Sequence, residues 1–120
     1  MIEIKRVENN LKRKEICDKN GVEYNKDLIV IASFEKGIIK NSAIFDYSGK
    51  IYCVENDEND FDLVYGISKA VLNILDLNNV KKAFLPKKYE FLAKKLGFQE
   101  ENGGYAVSLE GYFKCCNCKL

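Results

Sequence analysis

From Asp62 to Leu75 the apolar residues recur at helical spacing, with Leu63, Val64, Ile67, Ala70, Val71, Ile74 and Leu75 on one broad face. The stretch is preceded by "KIYCVEN" and followed by "VKKAFLP", both of which read as short strands. No other feature restricts the topology as much. A helical crossover from one strand to the other implies one parallel pair inside an otherwise antiparallel sheet. The three strands immediately ahead of it are joined by tight turns and must run antiparallel.

The rest of the order follows the same kind of reading. "IEIKR" at 2–6 alternates like an edge strand, and residues 8–19 form a charged helix around Leu11 and Ile16, ended by Gly21. "DLIVIASFEKG" opens on a continuous apolar run, the mark of a strand covered on both faces. "IIKNSAIFDYSG" returns as its hairpin partner. After the crossover, Pro86 stops a strand, "KYEFLAKKLG" is a helix with Gly97 at its stop, and "FQEENGGYAVSLEGYF" is a hairpin on an Asn-Gly turn. The class is α+β: a mixed, mainly antiparallel sheet with helices on both faces. With 120 residues, one domain is expected over 1–113, followed by a cysteine-rich tail at 114–120.

Composition mostly excludes. The net charge of +1 gives no reason to expect nucleic acid, and "LIVIA", the longest apolar run, is far too short for a bilayer. No membrane role is expected, and without a leader-like N-terminus the expected location is cytoplasmic, with reduced thiols. The sequence has no histidine, which removes Ser-His-Asp and Cys-His nucleophiles and every histidine-containing zinc site.

The element order, together with "KLGF" at 95–98, resembles the GNAT superfamily of acyl-CoA-dependent N-acetyltransferases, whose members read Y-x-K-L-G-F at that point. The resemblance covers nearly the whole chain and lacks the family's second helix. It implies an acetyl-CoA or other acyl-CoA cofactor and an amine acceptor. It also implies a cofactor cleft where the strand "KIYCVEN" splays from "VKKAFL". In that cleft Val54 and Glu55 would offer main-chain groups to a pantetheine. Leu63, Val64 and Gly66 would lie under the pyrophosphate at the helix start, and Lys87 and Lys88 would approach a phosphate from the far side.

The chain departs from the family at three places. The pyrophosphate loop Q/R-x-x-G-x-G/A is replaced by "ENDENDFDLVYG", with five carboxylates from Glu55 to Asp62 that would repel a diphosphate. The tyrosine that protonates the leaving thiolate in many members is Ala93, and a cofactor-contacting asparagine is Pro86. Weak or lost acetyl transfer is the expectation. The alternative is a non-catalytic module that meets a protein or a metal through its charged surface or its tail.

In that tail, Cys115, Cys116 and Cys118 form one C-x-x-C with a cysteine inside it. They are the candidate metal ligands, but zinc wants four, so Cys17 or Cys53 would have to contribute. A passive tail is the simpler reading. The acidic run also fails as an EF-hand loop, because neither register starting at Asn56 or Asp57 keeps the required oxygen ligands and glycine. The lysine pairs at 81–82, 87–88 and 94–95 read as solvated surface.

Overall fold

A computed structural model describes residues 2–55 and 60–113 of the chain. The order is β1 (Ile2–Arg6), α1 (Asn10–Lys19), β2 (Ile29–Glu35), β3 (Ile38–Phe45), β4 (Ile51–Val54), α2 (Phe61–Leu77), β5 (Lys82–Leu85), α3 (Glu90–Leu96), β6 (Gln99–Glu101) and β7 (Gly104–Ser108). A single 3-10 turn, Lys87–Tyr89, leads into α3. No described helix is long and apolar enough to cross a membrane.

The strands form two antiparallel sheets, β1-β2-β3-β4 and β5-β7-β6. The hairpins close on the turns that the sequence carries. Lys36 and Gly37 join β2 to β3, and Asn102 and Gly103 join β6 to β7; all four have positive φ, the twist a two-residue hairpin loop requires. The parallel pairing expected between β4 and β5 is reduced to one point. Lys50 and Phe84 form a single parallel bridge, and the Phe84 N–H donates to the Gly49 carbonyl at 2.9 Å. Beyond that point the strands part, so the expected splay is a gap between two sheets rather than a widened ladder.

Gly49 makes this junction feasible. Its φ is +95°, and a Cβ built there would lie 2.0 Å from the Lys82 carbonyl oxygen. Only glycine allows the backbones to approach so closely at that dihedral angle.

Helices cover both faces, as expected. On one face of the first sheet, Ile16 and Cys17 of α1 pack with Val30, Ala32, Ile44 and Cys53. On the other, α2 (Val64, Ile67, Val71, Leu72, Leu75) and α3 (Leu92, Ala93, Leu96) share a larger core with Ile31, Phe45 and Val54. The α2 face is wider than its spacing suggested, because Ser68 and Leu72 are also buried.

One expected core residue lies elsewhere: Leu11 is 80% exposed. Leu11 and Ile16 are five residues apart, a separation that puts them on different sides of a helix. What holds α1 beside its buried pair is Arg13, whose guanidinium donates to the Leu28 carbonyl and lies 5.5 Å from the Tyr24 ring centroid. Asn9 caps the helix by accepting from the Lys12 N–H at 2.9 Å.

Candidate cofactor cleft

The splay leaves the C-terminal half of β4 with one free backbone edge. Alternate N–H groups of a strand point to opposite neighbours. The Glu55 N–H therefore donates back to the Ser42 carbonyl of β3 at 2.9 Å, while the Val54 N–H points into the gap. There it meets a side chain that the sequence reading did not single out. The Tyr89 hydroxyl accepts from the Val54 N–H at 3.0 Å. Tyr89 stands immediately before α3, one helical turn ahead of Ala93 and therefore on the same side of the helix.

The position of Tyr89 also sets its ionisation. Burial, followed by the hydrogen bond it shares with the Cys53 thiol, pushes its hydroxyl well above the usual tyrosine range. It is neutral at any ordinary pH and can act as acceptor and donor at once. The Lys88 ammonium lies 5.3 Å from the ring centroid. Lys87 is exposed in the same short turn.

At the other end of the cleft, the start of α2 is already occupied by an anion. Asp60 is the cap, and its carboxylate accepts from the Leu63 N–H at 3.1 Å, while its carbonyl accepts from the Val64 N–H at 3.3 Å. A carboxylate is well placed against the positive end of a helix, and it takes the donor that a phosphate would use. Gly66 lies inside the helix, and a Cβ there would meet nothing within 4 Å. Replacing Gly66 with alanine should therefore raise stability by about 0.5–1 kcal/mol through helix propensity alone, a small upward shift of the urea midpoint at unchanged slope. A loss of stability would show that the position has a packing role the geometry lacks.

Between these ends Phe61 and Tyr89 border the gap, while Phe91 is 64% exposed. Phe61 stacks edge-on to Phe91 with centroids 5.1 Å apart. The space left among Phe61, Val64, Lys88, Tyr89, Phe91 and Leu92 is about 70 Å³. A cofactor site is usually at least about 300 Å³. Two larger openings lie beside the Lys50–Phe84 bridge. One of about 630 Å³ is lined by Lys50, Ile51, Phe84, Leu85 and Pro86. The other, about 620 Å³, is formed with the α1–β2 loop at Val22, Glu23 and Tyr24, and it shares Lys50 and Pro86 with the first. Pro86 borders both.

The structure thus brings Val54, Val64 and Lys88 together around Tyr89 and places Leu63 at the Asp60 cap. It does not bring Glu55 to them. The Glu55 carboxylate lies on the α1 side, 3.4 Å from the Lys19 ammonium and 3.3 Å from the Ser42 hydroxyl. Its charge is spent on α1 and not aimed at the helix start. Cys115, Cys116 and Cys118 lie outside the described residues. Cys17 and Cys53, which a zinc site would have needed, are both buried in the α1-side core, and burial raises the Cys17 thiol pKa above its ordinary value. Among the described residues no three His, Cys, Asp or Glu side chains gather into a metal site.

Solved structures carry the same fold. A protein of Desulfovibrio desulfuricans assigned to the GNAT acetyltransferases superposes with a TM-score of 0.68 at 11% identity, covering 91% of this chain and 99% of its own. The fold is that of the GNAT acetyltransferases. A GNAT-family acetyltransferase of Staphylococcus aureus matches with a TM-score of 0.60 at 11% identity, over 89% of this chain and 99% of its own. YhhK of E. coli, assigned as an N-acetyltransferase and solved bound to coenzyme A, matches with a TM-score of 0.59 at 14% identity, over 90% of this chain and 98% of its own. No family model and no curated protein matches the sequence. Within this GNAT fold, Tyr89, Phe61 and Phe91 are the residues that sequence reasoning missed. The available signal was that Tyr89 lies four residues before Ala93 on one helical side.

Proposed function

We propose that this chain is a GNAT-fold protein in which acyl-CoA-dependent N-acetyl transfer is weak or lost. The observation that carries the reading is the Val54 N–H donating to the Tyr89 hydroxyl in the splay. The E. coli structure bound to coenzyme A makes that coenzyme the ligand to consider first. A pantetheine arm entering this cleft would have to displace the tyrosine, move the aromatic side chains, and bring its pyrophosphate to a helix end that Asp60 already caps. Each step costs free energy that the ligand must supply. If an acyl thioester does enter, an amine brought in from the Lys50 and Pro86 side would attack it directly, with proximity as the main source of rate. Ala93 offers no proton to the leaving thiolate.

The test is a thermal melt of the reduced protein with and without acetyl-CoA, paired with release of free thiol in the presence of a panel of primary amines. A ligand at about a hundred times its dissociation constant adds about 2.7 kcal/mol, which a domain of this size registers as a rise of several degrees. The expected result is no shift and no thiol release above the uncatalysed rate. A rise of several degrees accompanied by turnover would overturn the proposal.

A further inference from the structure

β1 is the outer strand of its sheet, and all five of its residues are exposed. Among the described residues it pairs with β2 alone, in an unbroken register from Ile2 opposite Glu35 to Arg6 opposite Ile31. Natural edge strands are commonly protected by a proline, a bulge or a charge arrangement that repels a second strand. β1 has neither proline nor bulge, so its charges decide what it can meet.

Its free backbone groups can be assigned from one hydrogen bond. The Val7 N–H donates to the Val30 carbonyl at 2.8 Å, so odd-numbered residues here bond inward to β2. Ile2, Ile4 and Arg6 therefore direct their N–H and C=O groups outward. We infer that this edge is the self-association surface of the protein, where β1 pairs antiparallel with β1 of a second copy about a two-fold axis at Ile4. In that register Ile4 faces Ile4, Ile2 faces Arg6, and Glu3 faces Lys5 of the other copy, twice by symmetry. The neighbouring registers fail: an axis at Glu3 sets acid against acid, and one at Lys5 sets base against base. Ile2 and Ile4, 42% and 40% exposed, lie on the side occupied by Ser33 and gain cover from their counterparts. The result is one continuous eight-stranded sheet with an isologous interface.

The opposite edge provides an internal contrast. β6, with the sequence Gln-Glu-Glu, is the outer strand of the second sheet. The same operation centred on Glu100 would set Glu100 against Glu100, so that edge repels its own copy. Of the outer strands β1 and β6, β1 is the one complementary to itself.

Sedimentation of the reduced full chain over a concentration series tests this, with reductant present so that no disulfide between copies contributes. The wild type is expected to be in a monomer–dimer equilibrium. Glu3→Lys and Lys5→Glu each turn two attractive pairs into repulsive ones and should weaken dimerisation about tenfold to a hundredfold. The double variant Glu3→Lys/Lys5→Glu restores opposite charges and should return to near the wild-type constant. These residues are exposed, so all three variants are expected to fold, which circular dichroism checks. A wild type that stays monomeric throughout, single variants that dimerise as well as the wild type, or a double variant that fails to recover would each overturn the inference.

Discussion

Gly49→Ala is expected to lower stability by about 3 kcal/mol, the largest effect of any glycine-to-alanine change in this chain. Two costs add. At φ of +95° a side chain is strained, by about 1–2 kcal/mol. The new Cβ would also sit 2.0 Å from the Lys82 carbonyl oxygen, which is backbone and cannot rotate away. The clash can be relieved only by moving the two sheets apart, which stretches the Phe84 to Gly49 hydrogen bond and the Lys50–Phe84 bridge. In a domain of this length that corresponds to a fall of roughly 10 °C in melting temperature. Gly66→Ala is the paired control, because it adds the same methyl in open space and has the opposite expected sign. A Gly49→Ala protein as stable as the wild type would mean that the sheets are not locked together where the geometry puts the lock.

That junction also marks where the sequence stops being informative. Strand and helix identities were legible because each rests on a local period: alternation in "IEIKR", a continuous apolar run in "LIVIA", helical spacing from Leu63 to Leu75. The Asn-Gly turn and the Gly97 stop were legible because positive φ calls for particular residues, and Gly97 does have a φ of +87°. Sheet division was not legible. Nothing in "SGK" announces that its glycine is pressed against a carbonyl more than thirty residues away. The direction of Glu55 was lost for a related reason. Alternation says that Val54 and Glu55 face opposite sides, but not which side holds Lys19 and which holds the cleft. Leu11 was misplaced because a sparse pattern on a charged helix leaves the apolar side open to more than one rotation. The cleft was the hardest part to read. Comparing Ala93 and Pro86 with the family pattern reveals what is missing and says nothing of what fills the space, which is decided by packing among Phe61, Tyr89 and Phe91.

Tyr89→Phe is expected to lower the stability of the unliganded protein by about 1–2 kcal/mol, because the ring remains while the buried Val54 N–H loses its acceptor. Its effect on ligand binding should have the opposite sign. A thioester or amide carbonyl could then satisfy the freed N–H, and the ligand no longer has to break a hydrogen bond on entering. At the other end of the cleft, Asp60→Ser keeps a capping oxygen for the Leu63 N–H and removes a negative charge from the helix start. Tyr89 and Asp60 accept from different N–H groups, Val54 and Leu63, so their effects on binding should be close to additive. Each obstacle removed should tighten acetyl-CoA binding about tenfold, which makes the double variant the form to load first. A short acetyl thioester without phosphates separates the two contributions. It should respond to Tyr89→Phe and be indifferent to Asp60→Ser. Calorimetry on the wild type, the two single variants and the double variant reads all of this directly. If the double variant binds acetyl-CoA no better than the wild type, Tyr89 and Asp60 are not what closes the cleft. If the short thioester tightens with Asp60→Ser, the cap acts on the thioester end as well, and the two-ended description of the cleft is wrong.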